Sequence, residues 1–296
     1  MRTYPECIPC ILRASLNAGR LAAAPDAELW PALAEAARVC ASWARDQPPL
    51  ALGAAVAAVL RRHLGQHDPF WAAKRQGNAQ LLQLYPELKR RVRRSSDPLG
   101  EALHLAAAAN ALDLGVHEKL EGVNALAQAL ANPLGRWDLP RFRDHLAKAQ
   151  EVLYLADNAG EIVADRILIE ELLDLGKKVT LAVRGGPILN DVTVADLGEI
   201  GLPEGVEVVT TGADIPGVFL PLCSEEFRTR LRGAQLVLSK GMGNFEGLSG
   251  ERGPIFFLFQ AKCVPVAKEA GVRLGELVLL GPGRADLAEV HGDPKN

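Results

Sequence analysis

Two short aliphatic runs, at 152–155 and 179–183, flank a segment whose apolar residues Ala164, Ile167, Leu168, Leu172 and Leu175 recur at helical spacing. Gly176 supplies the left-handed stop that ends such a helix. A strand, a helix and a strand joined this closely pair in parallel through a right-handed crossover. That unit limits the chain to an α/β fold. Further apolar runs at 206–210, 236–238, 256–259 and 277–280 continue the alternation and predict a Rossmann-like, mostly parallel sheet. In such sheets ligands bind beyond the carboxyl ends of the strands.

Upstream the periodicity differs. From residue 1 to about 146 alanine and leucine dominate, and apolar residues such as Leu29, Leu33, Ala36, Ala37 and Cys40 follow helical spacing with almost no strand pattern. Pro25-Asp26, Asp68-Pro69, Ser95-Ser-Asp-Pro98 and Asn132-Pro133 read as breaks between helices. We therefore expect an all-helical N-terminal domain over 1–146 and an α/β domain over 147–296.

Three polar junctions follow predicted strands. The first is Asp157-Asn158-Ala-Gly160-Glu161, where a carboxylate and a carboxamide precede a helix. Oxygen donors beside a helix N-terminus suit a hard divalent cation and a phosphate. Taken alone, Asp157 or Asn158 equally well caps the helix, and Glu161 has a favourable place in its first turn. The second junction, Arg184-Gly-Gly-Pro-Ile-Leu-Asn190-Asp191, reads as a long loop entering another helix. It offers a second acid and an arginine able to clamp phosphate. The third, Lys240-Gly-Met-Gly-Asn244-Phe-Glu246, reads as a glycine-rich loop that turns an ammonium into the cleft, where it would offset charge on a transferring phosphoryl group. Its glycines do not have dinucleotide-fingerprint spacing.

The net charge of −3 gives no general attraction to nucleic acid or anionic membrane, so an anionic substrate needs a local positive site. The basic run Lys89-Arg-Arg-Val-Arg-Arg94 lacks interleaved aromatics and reads as a solvated helix end. The start of the chain carries no secretory pattern and no apolar stretch is long enough to span a bilayer, which makes the cytoplasm the expected compartment. The five cysteines argue against a disulfide framework. Cys7-Ile-Pro-Cys10 has the spacing of a redox pair or half a zinc site, and no second pair completes the latter.

Together the strings Glu6-Cys-Ile-Pro-Cys10, Ala109-Asn110-Ala-Leu-Asp113, Asp157-Asn-Ala-Gly-Glu161, Val183-Arg-Gly-Gly-Pro-Ile-Leu-Asn-Asp191, Lys240-Gly-Met-Gly-Asn-Phe-Glu246 and Lys262-Cys263 resemble the DUF89 family of damage-control phosphatases, in its short prokaryotic and archaeal branch. The resemblance implies a helical domain packed on an α/β/α sandwich that hydrolyses small phosphate monoesters, either phosphosugars or damaged nucleotide and cofactor phosphates. It implies a divalent metal (manganese, cobalt, nickel or magnesium) held by Asp157, Asn158 and Asp191. Lys240 matches a phosphate-contacting lysine, and Asn110 and Asp113 match a motif facing the cleft. Arg184, Glu161, Asn244 and Glu246 complete the substrate-contact candidates. Cys7, Cys10 and Cys263 match a structural thiol pattern away from the chemistry. Ala108-Ala109 stands where relatives often carry glycine. The expected partner is a small phosphorylated metabolite rather than nucleic acid or membrane. Attack by water and a covalent aspartyl-phosphate on Asp157 or Asp191 both remain open, as does the alternative of a non-catalytic Rossmann-like module that binds a nucleotide or phosphosugar.

Overall fold

The computed structural model describes residues 1–65, 68–110 and 122–283. Among the described residues six helices come first: α1 (Cys7–Leu21), α2 (Asp26–Ala41), α3 (Pro49–Leu64), α4 (Trp71–Arg94), α5 (Pro98–Ala109) and α6 (Gly122–Leu130). Strand β1 (Leu134–Trp137) and helix α7 (Leu139–Lys148) lead into β2 (Glu151–Leu155), α8 (Ile162–Asp174), β3 (Lys178–Val183) and β4 (Glu207–Thr210). The chain continues through α9 (Glu225–Gly233), β5 (Val237–Lys240), α10 (Gly241–Leu248), β6 (Ile255–Gln260), α11 (Val264–Ala270) and β7 (Leu277–Leu280). The strands form one sheet in the order β1-β7-β6-β5-β2-β3-β4. Every neighbouring pair is parallel except β6 with β7.

Each face of the sheet carries its own core, and strand alternation sorts residues between them. Val152 and Tyr154 of β2, with Phe256 and Leu258 of β6, pack beneath α4, α5, α7 and α8. Leu153, Leu155, Phe257 and Phe259 face α9, α10 and α11 on the other side. Helix α5 can lie close to α8 because its packing surface is mostly methyl groups: Ala102 and Ala106 to Ala109 are fully buried. Helix α8 ends as expected: the Gly176 and Lys177 amides donate to the Leu173 and Leu172 carbonyls, with Gly176 at φ 74°. Helices α1 to α3 enclose a smaller separate core around Ala36, Cys40, Leu52 and Val56. Among the described residues, no helix is long and apolar enough to cross a membrane.

All six predicted strands occur within two residues of their expected limits. Strand β1 falls in the stretch read as helical; four residues with a glycine and an arginine inside them carry little β pattern, and pairing with β7 makes the strand. The second junction enters a short 3-10 turn, Val194–Asp196, capped by Thr193, rather than a helix. The third is not a loop: α10 begins directly at Gly241.

Candidate active site

Strand β2 lies between β5 and β3. The chain leaves β2 toward β3 and leaves β5 toward β6, so the strand order reverses at the β2–β5 pair, the position beyond whose carboxyl ends open α/β sheets bind ligands. Asp157 stands two residues past β2 and faces the start of α10. The approach is tight: a Cβ on Gly241 would lie 1.8 Å from Asp157 Oδ2, and Gly241 itself has φ 79°. Only glycine meets both conditions.

The loops after β2 and β3 are joined through their backbones. Asn158 and Asp191 form an antiparallel bridge, the Ala159 amide donates to the Asn190 carbonyl at 2.9 Å, and the Val192 amide donates to the Asp157 carbonyl at 2.9 Å. This pairing carries Asp157, Asn158 and Asp191 to one place. Between the two acids lies the buried guanidinium of Arg184, with Nε donating to Asp191 Oδ2 at 2.6 Å and Nη2 lying 3.5 Å from Asp157 Oδ1. Nη1 and Nη2 of Arg184 have no hydrogen-bond acceptor among the described residues.

A second layer of polar groups supports the first. Asn110, at the end of α5, donates from Nδ2 to Asp157 Oδ2 at 3.0 Å and to both Glu161 oxygens at 3.0 and 3.1 Å, while its Oδ1 accepts the Gln260 amide at 3.2 Å. Glu161 also accepts the Asn158 amide at 2.8 Å and the Lys240 ammonium at 3.0 Å. Lys240 continues to Asp165 Oδ1 at 2.6 Å. Burial pushes the Asp157 carboxyl well above the usual range, and the charges of Glu161 and Asp191 push it further; Arg184 and Lys262 only partly offset them. Burial acts the same way on Glu161, but Lys240 and Lys262 outweigh it and leave that carboxyl below its ordinary value. Asp165 is raised to about 6 by burial in spite of Lys240.

The family model for the damage-control phosphatase ARMT1-like domain matches residues 3–278. The chain belongs to that family. An uncharacterised protein of Methanocaldococcus jannaschii is 32% identical over 95% of both chains. A damage-control phosphatase of Archaeoglobus fulgidus is 31% identical, covering 94% of this chain and 98% of its own. The crystal structure of a DUF89 family protein from Pyrococcus horikoshii superposes with a TM-score of 0.84 at 30% identity, over 96% of this chain and 100% of the other. The protein is thus a damage-control phosphatase with the family's α/β fold.

Against this phosphatase fold the individual residues separate. Asp157, Asn158, Asp191, Arg184, Asn110 and Glu161 converge. Lys240 has no exposed surface, and its nitrogen donates to Glu161 and Asp165 rather than to Asp157, Asn158 or Asp191. Asn244 braces the start of α10, donating to the Lys240 carbonyl at 2.7 Å and the Ala156 carbonyl at 3.2 Å. Glu246 turns away, toward the N-terminal amine and the thiols, and burial raises its carboxyl to about 7. Asp113 lies outside the described residues. Burial raises the Cys263 thiol to about 11, with smaller contributions from Glu246, Cys7 and Cys10.

Lys262 is a cation that sequence reasoning did not place here. It is partly exposed, and its charge acts on both Asp157 and Glu161. The Lys262-Cys263 string drew attention to the thiol instead of the ammonium.

For a divalent cation, the donor set fits: two carboxylates and one carboxamide are hard oxygen ligands, and burial, Glu161 and Asp191 disfavour the ionised form of Asp157, which a cation would stabilise. Among the described residues no three His, Cys, Asp or Glu side chains form a metal-holding group by themselves. A two-acid, one-amide set would leave positions for water and substrate oxygens on such a cation.

Proposed function

We propose that this phosphatase hydrolyses small phosphate monoesters, phosphosugars or damaged nucleotide and cofactor phosphates, with one divalent cation held by Asp157, Asn158 and Asp191. The observation that carries this reading is the backbone pairing of the two loops, which brings three oxygen donors together beside an arginine at the sheet's switch point. When bound, the cation supplies Lewis-acid chemistry, polarising the phosphoryl group and making a water more acidic. Manganese, cobalt, nickel and magnesium all suit the oxygen set.

The remaining roles belong to the chain's own groups. Arg184 holds Asp157 and Asp191 in register, and its Nη1 and Nη2, which have no hydrogen-bond acceptor among the described residues, can donate to phosphate oxygens. Lys262 offsets charge that develops on the phosphoryl group, a role its partial exposure and its influence on Asp157 support better than the enclosed ammonium of Lys240 supports. Glu161, anchored by Lys240, orients Asn110 and the Asn158 amide around Asp157. Cys7, Cys10 and Cys263, whose charges act on one another, take a structural part away from the chemistry. A module that only binds nucleotide or phosphosugar is disfavoured by the chain's membership in a phosphatase family.

Phosphate release from p-nitrophenyl phosphate, measured after chelation and after adding back each of the four metals, tests the proposal. Restoration by at least one metal is expected. Full activity in the chelated protein would remove the cation from the reaction.

A further inference from the structure

Helix α4 reaches both loops of the candidate site without contributing a group to the site itself. Asn78, 2% exposed, accepts the Gly160 amide on Oδ1 at 2.6 Å, and its Nδ2 lies 3.5 Å from the Asp196 carbonyl. One helical turn earlier, the fully buried ammonium of Lys74 pairs with Asp196 Oδ2 at 2.8 Å and Asp68 Oδ2 at 2.9 Å. The same Asp196 oxygen accepts the Thr193 amide at 2.8 Å and hydroxyl at 2.7 Å. Gly160 follows Asn158 by two residues and Thr193 follows Asp191 by two. A single face of α4 therefore grips the chain downstream of Asp157-Asn158, at Gly160, and downstream of Asp191, at Asp196.

Stability alone does not account for this arrangement. A buried lysine flanked by carboxylates costs desolvation that apolar packing avoids, and ion pairs of this kind contribute little net free energy. What they do supply is direction. The Asn78–Gly160 and Lys74–Asp196 contacts tie both loops to one face of α4, and together they fix how far apart the loops stand on the helix side.

We propose that Asn78 and Lys74 are positioning residues that set the spacing between Asp157-Asn158 and Asp191, and through it the affinity for a divalent cation. The proposal rests on the reading that these three residues hold the cation. Partners outside the ligand set commonly change metal affinity or activity by about 10- to 100-fold when removed.

The test compares Asn78→Leu, which keeps the branching at Cγ and removes both hydrogen bonds, with Asn78→Asp, which keeps an acceptor for the Gly160 amide. Manganese binding is followed by calorimetry, Gly160 amide exchange by NMR, and p-nitrophenyl phosphate turnover across a manganese titration. In Asn78→Leu, exchange at Gly160 should accelerate, manganese affinity should weaken about 10- to 100-fold, and turnover should recover substantially at high manganese. Asn78→Asp should restore much of the affinity. A folded Asn78→Leu protein with native manganese affinity would overturn the proposal. If Asn78→Leu does not fold, Asn78→Ser removes the long side chain more mildly and is judged by the same outcomes. The cation reading fails separately: it is lost if Asp157→Asn binds manganese as the native protein does, whatever Asn78→Leu shows at Gly160.

Discussion

Lys240 donates to Asp165 Oδ1 at 2.6 Å and to Glu161 Oε2 at 3.0 Å, from a position with no exposed surface. The ammonium thus holds two buried carboxylates, one on each side of the first turn of α8, and joins the end of β5 to the loop after β2. Removing it leaves both acids buried without their counter-charge. Lys240→Met should therefore destabilise the fold by about 3–5 kcal/mol, the usual cost of breaking one side of a buried ion pair. Chemical denaturation measures this, and Asp165→Leu added to Lys240→Met should recover part of the loss. A Lys240→Met protein of native stability would return the lysine to a direct role in the cleft.

Lys262 should respond in the opposite way. It is partly exposed and touches the site through its charge on Asp157 and Glu161. Lys262→Ala should reduce kcat/KM on phosphate esters by on the order of 10²-fold, as for other groups that stabilise transition-state charge, with little change in melting temperature. Near-native kinetics in this variant would take Lys262 out of phosphate binding.

The contrast between these two lysines shows which parts of the protein were legible in its sequence. Period-two and helical-period patterns located six strands and the helix after Gly160, because each depends on neighbours within one element. The first two junctions were legible for the same reason: strand ends and their polar residues are adjacent in sequence. Partners were not. Asp165 sits inside an apolar helical stripe, and Lys74 and Asn78 sit on a helix where polar residues normally mark solvent. Their meaning comes from contacts with chain segments far away in sequence, such as Asn78 with Gly160. The Gly241 contact with Asp157 was equally hidden, since a glycine-rich string looks like a loop until the helix it opens is packed beneath an acid.

Asp157→Asn separates the binding of a cation from folding. In the folded protein burial, Glu161 and Asp191 raise the Asp157 carboxyl, so its ionised form opposes folding when no cation is present. The chelated variant should melt at or above the native temperature. Stabilisation by manganese, which follows the ratio of metal concentration to its dissociation constant, should largely disappear, together with metal-dependent turnover. An undiminished manganese shift in melting temperature would show that the ion binds elsewhere.

Glu246 gives the protein a pH-dependent contribution remote from the chemistry. Its folded-state value of about 7 lies above the ordinary 4.5, chiefly through burial and against the pull of the N-terminal amine. The native state therefore binds a proton that the unfolded chain releases between these values. The stabilisation is complete below about pH 4.5 and is lost as pH rises through about 7. Asp165 and Asp157 drift in the same direction, so the informative quantity is a difference between two proteins. Glu246→Gln, which cannot ionise, should lose less stability than the native protein between pH 5 and pH 8 in chelated buffer. Denaturation midpoints at several pH values across that range provide the comparison. Parallel curves for the two proteins would mean that Glu246 keeps an ordinary carboxylate value and carries its charge throughout.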